Sequence, residues 1–378
     1  MKRVCIFADF PISAIEGEFV GHGGGQGATW LPQLVEALAI YEDLEIHWCV
    51  FDKGRKDPKK LETNGQFFHL IPSPGITLSL LSWRLIQRRA AKRLICELSP
   101  DVVHCWGSEN LSGVAVSISP ESSIFSMQGI VSHILKVGGG LGWRWSLFGY
   151  FEKRTLAKAA MVTSESQWGL DRVAEIIRKE KTAKVEYGVF QGYYETEWEP
   201  IEEEPRILFA GGLNYLKGVD LLLKVLGKYR KRHWKIAFAG GGEFEEPLRQ
   251  LNDPQVEVLG VLKTQELQKE MAKSWALIHP TRADTSPNVV KEARVIGLPV
   301  IVSPNGGQAE YVENGVDGLV VNGEDPEHWF QAIDEILSDF EKCRQMGKVN
   351  HEHYRDYFRV ERTASQFADI YRSISPSN

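Results

Sequence analysis

Short apolar strands alternate with helical segments along nearly the whole chain, and that pattern admits few folds. RVCIFA (3–8), LEIHWCV (44–50), QFFHLI (66–71), DVVHCW (101–106) and SSIFSM (122–127) read as strands. Between them, WLPQLVEALAIY (30–41) and LSWRLIQRRAAKRLICEL (81–98) carry helical spacing. Brief apolar runs separated by helices predict a parallel sheet covered on both faces. A further helix is expected near Ser164, with Ser164 and Gln167 forming a capping box.

The pattern pauses at ETEWEPIEEEP (195–205), an acidic, proline-flanked stretch that reads as a linker. It then restarts with RILFAG, a helix from Val219, WKIAFAG, a helix from Glu243, VEVLG, ALIHP, a helix from Pro287 and LPVIVS. Val219, Leu222, Leu223 and Leu226 fall at helical spacing and mark a buried stripe. The expected fold class is α/β, with two doubly wound Rossmann-like domains facing a cleft. The expected boundaries are 1–194, a linker at 195–205, a second domain at 206–355, and a C-terminal segment at 356–378. That last segment holds a helix around 361–372, with the first domain as one surface on which it could pack. Ligands of such sheets bind outside the carboxyl ends of the strands, so the loops after strands are where chemistry is expected.

Composition narrows the partners. At 378 residues the chain is long enough for two cores. A formal net charge of -6 gives no basic stripe for nucleic acid. The five cysteines (Cys5, Cys49, Cys96, Cys105, Cys343) are scattered and form no metal-ligand or disulfide spacing, as in a reduced cytoplasmic protein. MKRVCIFADF reads as a first strand, not a signal peptide. No run approaches the roughly 18 apolar residues of a membrane span.

Three segments in the second half carry chemistry. GGLNYLKG (211–218) follows a strand and precedes a helix. Its glycines allow close backbone approach, the helix end offers partial positive charge, and Lys217 adds a full one, which together suit a diphosphate. An ordinary turn with a solvated lysine fits the same residues. ADTSPNVVKEARVIGLPVIVS (283–303) places Asp284 just before a helix that Ser286 can cap, and Glu292 about two turns along it. Carboxylates accept from hydroxyl pairs, so ribose and hexose are natural partners; helix-dipole complementation is the plainer role for Asp284. PNGGQAEYVENGVDGLVV (304–321) holds the Gly306–Gly307 turn, either anion-friendly or simply tight. GGG (240–242), followed by Glu243, Glu245 and Glu246, is a poor phosphate turn.

In that order, these segments resemble the donor-binding domain of the large retaining glycosyltransferase family four, which has the GT-B fold. The likeness rests on Lys217-Gly218, the spacing from Asp284 to Glu292, GLPVIVS (297–303), Gly306-Gly307 and Glu310, and covers roughly 205–340. Over 1–190 it is looser, carried by GHGGGQG (21–27), DVVHCW and VEYGV (185–189). The resemblance implies that Lys217 and Gly218, with Gly211 and Gly212, hold the donor diphosphate. Glu292 would hold the nucleotide ribose, Asp284 the transferred sugar, and Gly306–Gly307 would offer backbone donors. Gly23, Gly24 and Gly25 would let the first domain approach the donor phosphates. The sequence departs from the family at Gly212, where an arginine is usual, at Asp284, where glutamate is usual, and at Gln128, where many members have histidine.

The implied activity is transfer of a glycosyl unit from a nucleotide-diphosphate sugar with retention, in polysaccharide or glycolipid synthesis, with no further cofactor and no metal. Lys217 would stabilise the leaving diphosphate, and His104 is a candidate for orienting the acceptor. A sugar-nucleotide epimerase needs acid–base groups beside the sugar, for which Gln128 is poor. A dehydrogenase is disfavoured because the glycine loop starts more than ten residues after its strand. A sugar-nucleotide binding module without turnover is the third reading. Residues 129–154 join Trp143, Trp145, Phe148, Tyr150 and Phe151 to Lys136, Arg144, Lys153 and Arg154, as expected of peripheral contact with an anionic inner membrane and a lipid-linked acceptor. Packing of the same aromatics onto the first domain's core is the alternative.

Overall fold

The computed structural model describes residues 1–14, 30–107, 111–138, 141–177 and 179–375. These form two units, the first from the described residues up to Gly188 together with those from Val360 onward, the second from Val189 to Arg359. The boundary differs from the expected linker at 195–205. Two tryptophans bind that acidic stretch into the second unit. Trp198 Nε1 donates to Ser274 O at 2.8 Å, and Trp275 Nε1 donates to Ile201 O at 2.7 Å.

The first unit's sheet contains β1 (Lys2–Phe7), β2 (Leu44–Asp52), β3 (Lys59–Thr63), β4 (Gln66–Pro72), β5 (Val102–Trp106), β6 (Ser123–Met127), β7 (Met161–Ser164) and β8 (Thr182–Lys184). Their order is β3-β4-β2-β1-β5-β6-β7-β8, parallel throughout except for the antiparallel edge strand β3. Pleating sends alternate side chains to opposite faces. In β1, Val4 and Ile6 enter one apolar core while Cys5 and Phe7 enter the other. Both faces are buried, so the strands read as continuous apolar runs. The terminal helix Val360–Ser373 covers the first of these faces with Ala364, Phe367 and Tyr371.

The second unit's sheet contains β9 (Arg206–Ala210), β10 (Lys235–Ala239), β11 (Val256–Gly260), β12 (Ala276–His279), β13 (Val300–Val302) and β14 (Gly318–Val320). Its order is β11-β10-β9-β12-β13-β14, all parallel. The two faces again separate, with Ile207 and Phe209 in one core and Leu208 and Ala210 in the other. The order reverses between β9 and β12. At that switch the loops after neighbouring strands diverge and leave a crevice, where such sheets take ligands.

Two local expectations are corrected. Ser164 ends β7, and the following helix Gln167–Val173 is capped by Ser166, whose hydroxyl accepts from Gly169 N at 3.1 Å. Ser286 does not cap the helix Asn288–Ile296; its hydroxyl pairs with Tyr311 Oη at 2.9 Å. Among the described residues no helix is long and apolar enough to cross a membrane.

Candidate active site

The loops after β9, β12 and β13, three adjacent strands, carry the sequence-derived site residues of the second unit. Residues 211–218 form the first loop. Gly218 ends it in a left-handed conformation (φ 75°), and a Cβ there would lie 2.2 Å from Pro280 O. Only glycine lets this turn press against the start of the second loop. The contact is reinforced by Arg282 N donating to Leu216 O at 2.8 Å and by Thr281 Oγ1 donating to the same oxygen at 3.1 Å. The third loop joins through backbone pairing of Asp284 with Gly306, where a Cβ would meet Asp284 O at 2.4 Å.

This close packing brings Lys217 to Asp284, and the two form an ion pair. Both are mostly buried, with side-chain exposures of 27% and 15%. His279, the last residue of β12, lies beneath them, with Nε2 3.9 Å from Asp284 Oδ2. Burial would push the Asp284 carboxyl upward. The Lys217 charge and the nearby His279 ring outweigh burial, and the carboxyl is held well below its usual range. His279 is 1% exposed and its ring nitrogens have no hydrogen-bond partner among the described residues. Burial lowers its pKa, so the ring is neutral at pH 7. Sequence reasoning passed over His279, because it closes an otherwise apolar strand; its only signal is a polar residue five positions before Asp284.

Glu292 sits on the helix Asn288–Ile296, half-buried, and desolvation raises its pKa to about 7. The Tyr193 hydroxyl donates to its carboxylate and partly opposes that rise. Tyr193 lies in the short turn Gln191–Tyr193, a hundred residues upstream, and no local pattern marks it. Among the described residues Glu292 forms no ion pair with Lys217, so the two carboxylates occupy distinct environments, one held ionised and the other poised near neutrality.

The expected amide cradle is smaller than the glycine pattern implies. Gly211 N donates to Ala239 O at 2.9 Å, Gly218 N to Tyr215 O at 3.0 Å and Gly307 N to Asp284 O at 3.1 Å. Lys217 N is taken up by Asn214 Oδ1 at 3.0 Å. Among the described residues only the Gly212 amide, of those in the 211–212 and 217–218 pairs, carries no acceptor. Positive charge for a diphosphate therefore falls on the Lys217 ammonium. Arg282 does not replace the family arginine absent at Gly212. Its guanidinium bridges Asp220 and Glu324, also donates to Tyr215 O, and stacks 3.8 Å from the Tyr215 ring. It clamps the first two loops together.

His104 is corrected by its surroundings. It lies within β5, not after it, and is fully buried. Nδ1 pairs with Tyr371 Oη at 2.8 Å and Nε2 with Ser126 Oγ at 2.6 Å. Burial lowers its pKa to about 3. This is a core histidine with both nitrogens occupied, and it does not reach an acceptor. Gly23, Gly24 and Gly25 lie outside the described residues. A cavity of about 810 Å³ between 194–200 and the helix Phe340–Tyr354 is lined by none of Lys217, Asp284, Glu292 or Gly306 and is separate from the site.

Residues 204–339 match the family described as Glycosyl transferases group 1. An uncharacterized glycosyltransferase of Methanocaldococcus jannaschii is 30% identical over 145 residues, which is 37% of this chain and 37% of that protein. The chain thus spans less than half the length of the curated relatives it matches. Sucrose-phosphate synthase from Thermosynechococcus elongatus superposes with a TM-score of 0.80 at 20% identity, covering 98% of each chain. HepE of Anabaena, solved in complex with UDP-glucose, gives 0.70 at 15% identity, covering 99% of this chain and 100% of that one. The fold is that of the GT-B glycosyltransferases. The family model lies wholly within the second unit, and the solved structures share the fold.

Proposed function

We propose that the protein transfers a glycosyl unit from a nucleotide-diphosphate sugar to a saccharide or lipid-linked acceptor, with retention of anomeric configuration. The setting would be cytoplasmic synthesis of cell-surface polysaccharide or glycolipid, as in the retaining family four that the sequence resembles. The observation that carries the reading is the Lys217–Asp284 pair at the β9/β12 switch point, with Glu292 and its Tyr193 partner on the helix that follows. UDP-glucose bound to a protein of the same fold supports a sugar nucleotide as donor.

In this reading the donor diphosphate draws the Lys217 ammonium away from Asp284. The freed, ionised carboxylate then accepts from hydroxyls of the sugar. As the bond from C1 to the phosphate oxygen breaks, Lys217 and the Gly212 amide stabilise the charge that develops. The acceptor oxygen bonds to C1 on the face the diphosphate leaves, and its proton passes to the departing phosphate oxygen. That route needs no protein base, which suits a site whose histidine, His279, is buried and neutral. Glu292 holds the ribose, and its pairing with Tyr193 sets its orientation.

A thermal-shift screen across nucleotide-diphosphate sugars tests the donor site, because a ligand bound to the folded state raises the melting temperature by mass action. The expected result is a rise for one sugar nucleotide in the wild type and a much smaller rise in Lys217→Ala. NMR of the transferred product should then show the donor's anomeric configuration; an inverted product overturns the retaining mechanism. Gly212, standing where an arginine is usual, favours a second reading, a sugar-nucleotide binding module. Stabilisation without any hydrolysis or transfer would establish it.

A further inference from the structure

Eight of the thirteen large apolar side chains exposed among the described residues come from two neighbouring stretches of the first unit. Ile76, Leu78, Leu81, Trp83, Leu85 and Ile86 belong to the first, and Trp143 and Tyr150 to the helix Trp143–Lys158. Trp83 meets Tyr150 and Phe151 edge-on at 6.0 and 5.9 Å, which joins the stretches into one surface. On the second helix Trp143, Tyr150 and Arg154 are seven and four residues apart and share a face. The exposed apolar surface is not confined to residues 129–154. Phe148 is buried and Trp145 packs partly into a small core, while residues 76–86 supply most of the exposed apolar surface.

A pocket of about 380 Å³ opens within this surface. Arg84, Arg88, Arg154 and Lys158 line it beside Trp83 and Tyr150, and among the described residues no carboxylate does. Arg84 is 5% exposed and lies 5.0 Å over the Phe151 ring. One of its amino groups donates to Leu111 O at 2.7 Å, while its Nε has no partner among the described residues. Trp83 and Arg84 both adopt left-handed backbone (φ 51° and 61°), a conformation non-glycine residues hold only when their surroundings enforce it. Exposed Arg89, Lys92 and Arg93 extend the positive charge along the helix Leu85–Leu98, in a protein of net charge -6.

We propose that this pocket binds the phosphate headgroup of an anionic membrane lipid, and that the surrounding apolar side chains seat the first unit shallowly in the membrane surface. A soluble anion would need the arginines alone. It gives no reason for Leu81, Trp83 and Leu78 to stand 64%, 60% and 54% exposed around them. A bilayer interface takes both, with apolar side chains below the headgroups and guanidinium groups among the phosphates. The inference goes beyond the transferase reading and does not depend on it.

The test is sedimentation of the full chain, without sugar nucleotide, with vesicles of phosphatidylcholine alone or mixed with phosphatidylglycerol. Binding should require phosphatidylglycerol and weaken with salt. Arg88→Glu/Arg154→Glu should reduce it at least about tenfold, given the contribution of each basic residue near an anionic surface. Leu81→Ser/Trp83→Ser should also reduce it at an unchanged melting temperature; if that variant unfolds, the exposed arginine pair carries the test. Lys231→Glu, a charge reversal in the second unit, should leave binding intact. Wild type that ignores phosphatidylglycerol vesicles, or binds phosphatidylcholine equally well, overturns the proposal. So does a melting-temperature rise with glycerol 3-phosphate in the absence of vesicle binding, which would mark a soluble-anion site.

Discussion

Lys217 and Asp284, 67 residues apart, form an ion pair, and the same Asp284 oxygen lies 3.9 Å from His279 Nε2. Removing one partner leaves the other charged and mostly buried, which is costly. Lys217→Ala should destabilise the protein by about 2 kcal/mol at pH 7. Adding Asp284→Asn should recover most of that loss in the double variant, because no orphaned charge remains. Both forms should turn over at least about tenfold more slowly, equivalent to roughly 1.4 kcal/mol or more of lost transition-state stabilisation. Denaturant melts and initial rates measure the two effects separately. Recovery of stability together with activity would show that the pair is structural only.

If Lys217 and the Gly212 amide supply the positive charge at the diphosphate, a divalent cation has no necessary place there. Turnover should survive dialysis against a strong chelator and show less than about a twofold response to added magnesium or manganese, under about 0.5 kcal/mol. Loss of rate with chelator, restored by either ion, counts against the lysine-centred site.

Glu292 gives a pH dependence with a definite sign. Its pKa rises on folding from 4.5 to about 7 through desolvation, so the folded state holds the proton more tightly. Its contribution to stability is full below about pH 4.5 and is lost as pH rises through about 7. Glu292→Gln cannot ionise. It should match the wild type near pH 5 and exceed it at pH 8 by about 1–3 kcal/mol, since each tenfold change in proton affinity is worth roughly 1.4 kcal/mol. Activity should move the opposite way, since the neutral amide is a poorer acceptor for a ribose diol. A variant less stable than wild type at pH 8 would contradict this account.

Most of the central strands were legible in the sequence because burial on both faces makes them continuous apolar runs. Four strands were not: β3, because KKLET lies at a sheet edge with only Leu61 partly buried, and β7, β8 and β14, which are only three or four residues long. The 195–205 stretch misled for a related reason. Its acidic composition describes side chains facing water, while the contacts that hold it, through Trp198 and Trp275, involve one tryptophan inside the stretch and one seventy residues beyond it. Lys217, Asp284 and Glu292 stood out through motif spacing. Their partners His279 and Tyr193 did not, because each reaches its carboxylate through tertiary packing. The glycine turns were legible as close approaches, but the sequence could not tell that most of their amides are taken up by the protein's own carbonyls.

His104 illustrates the same limit and gives a fourth prediction. A histidine in an apolar strand looks available in sequence, but Tyr371, on the terminal helix, closes over it. His104→Phe should leave Tyr371 and Ser126 short of a partner and cost about 2 kcal/mol, within the range for unsatisfied buried groups. Turnover per folded molecule should stay within about twofold of wild type, less than about 0.5 kcal/mol in the barrier. A specific loss of kcat with unchanged melting would restore a catalytic role.

Tyr193 is the residue whose substitution best separates positioning from packing. Its hydroxyl donates to the Glu292 carboxylate and favours the ionised form. If Glu292 holds the donor ribose as proposed, the ionised form is the one that accepts its hydroxyls, and wild-type affinity for the donor nucleotide should rise about tenfold between pH 6 and pH 8, following the competent fraction. Tyr193→Phe removes the donated hydrogen bond and leaves the ring in place. The Glu292 pKa should then climb by about one, the order expected for a hydrogen bond to a charged group. The affinity–pH profile, measured by calorimetry, should move to higher pH by that amount and meet the wild-type curve near pH 9. A Tyr193→Phe affinity reduced equally at every pH would mean that Tyr193 only packs the site and that Glu292 does not titrate with donor binding.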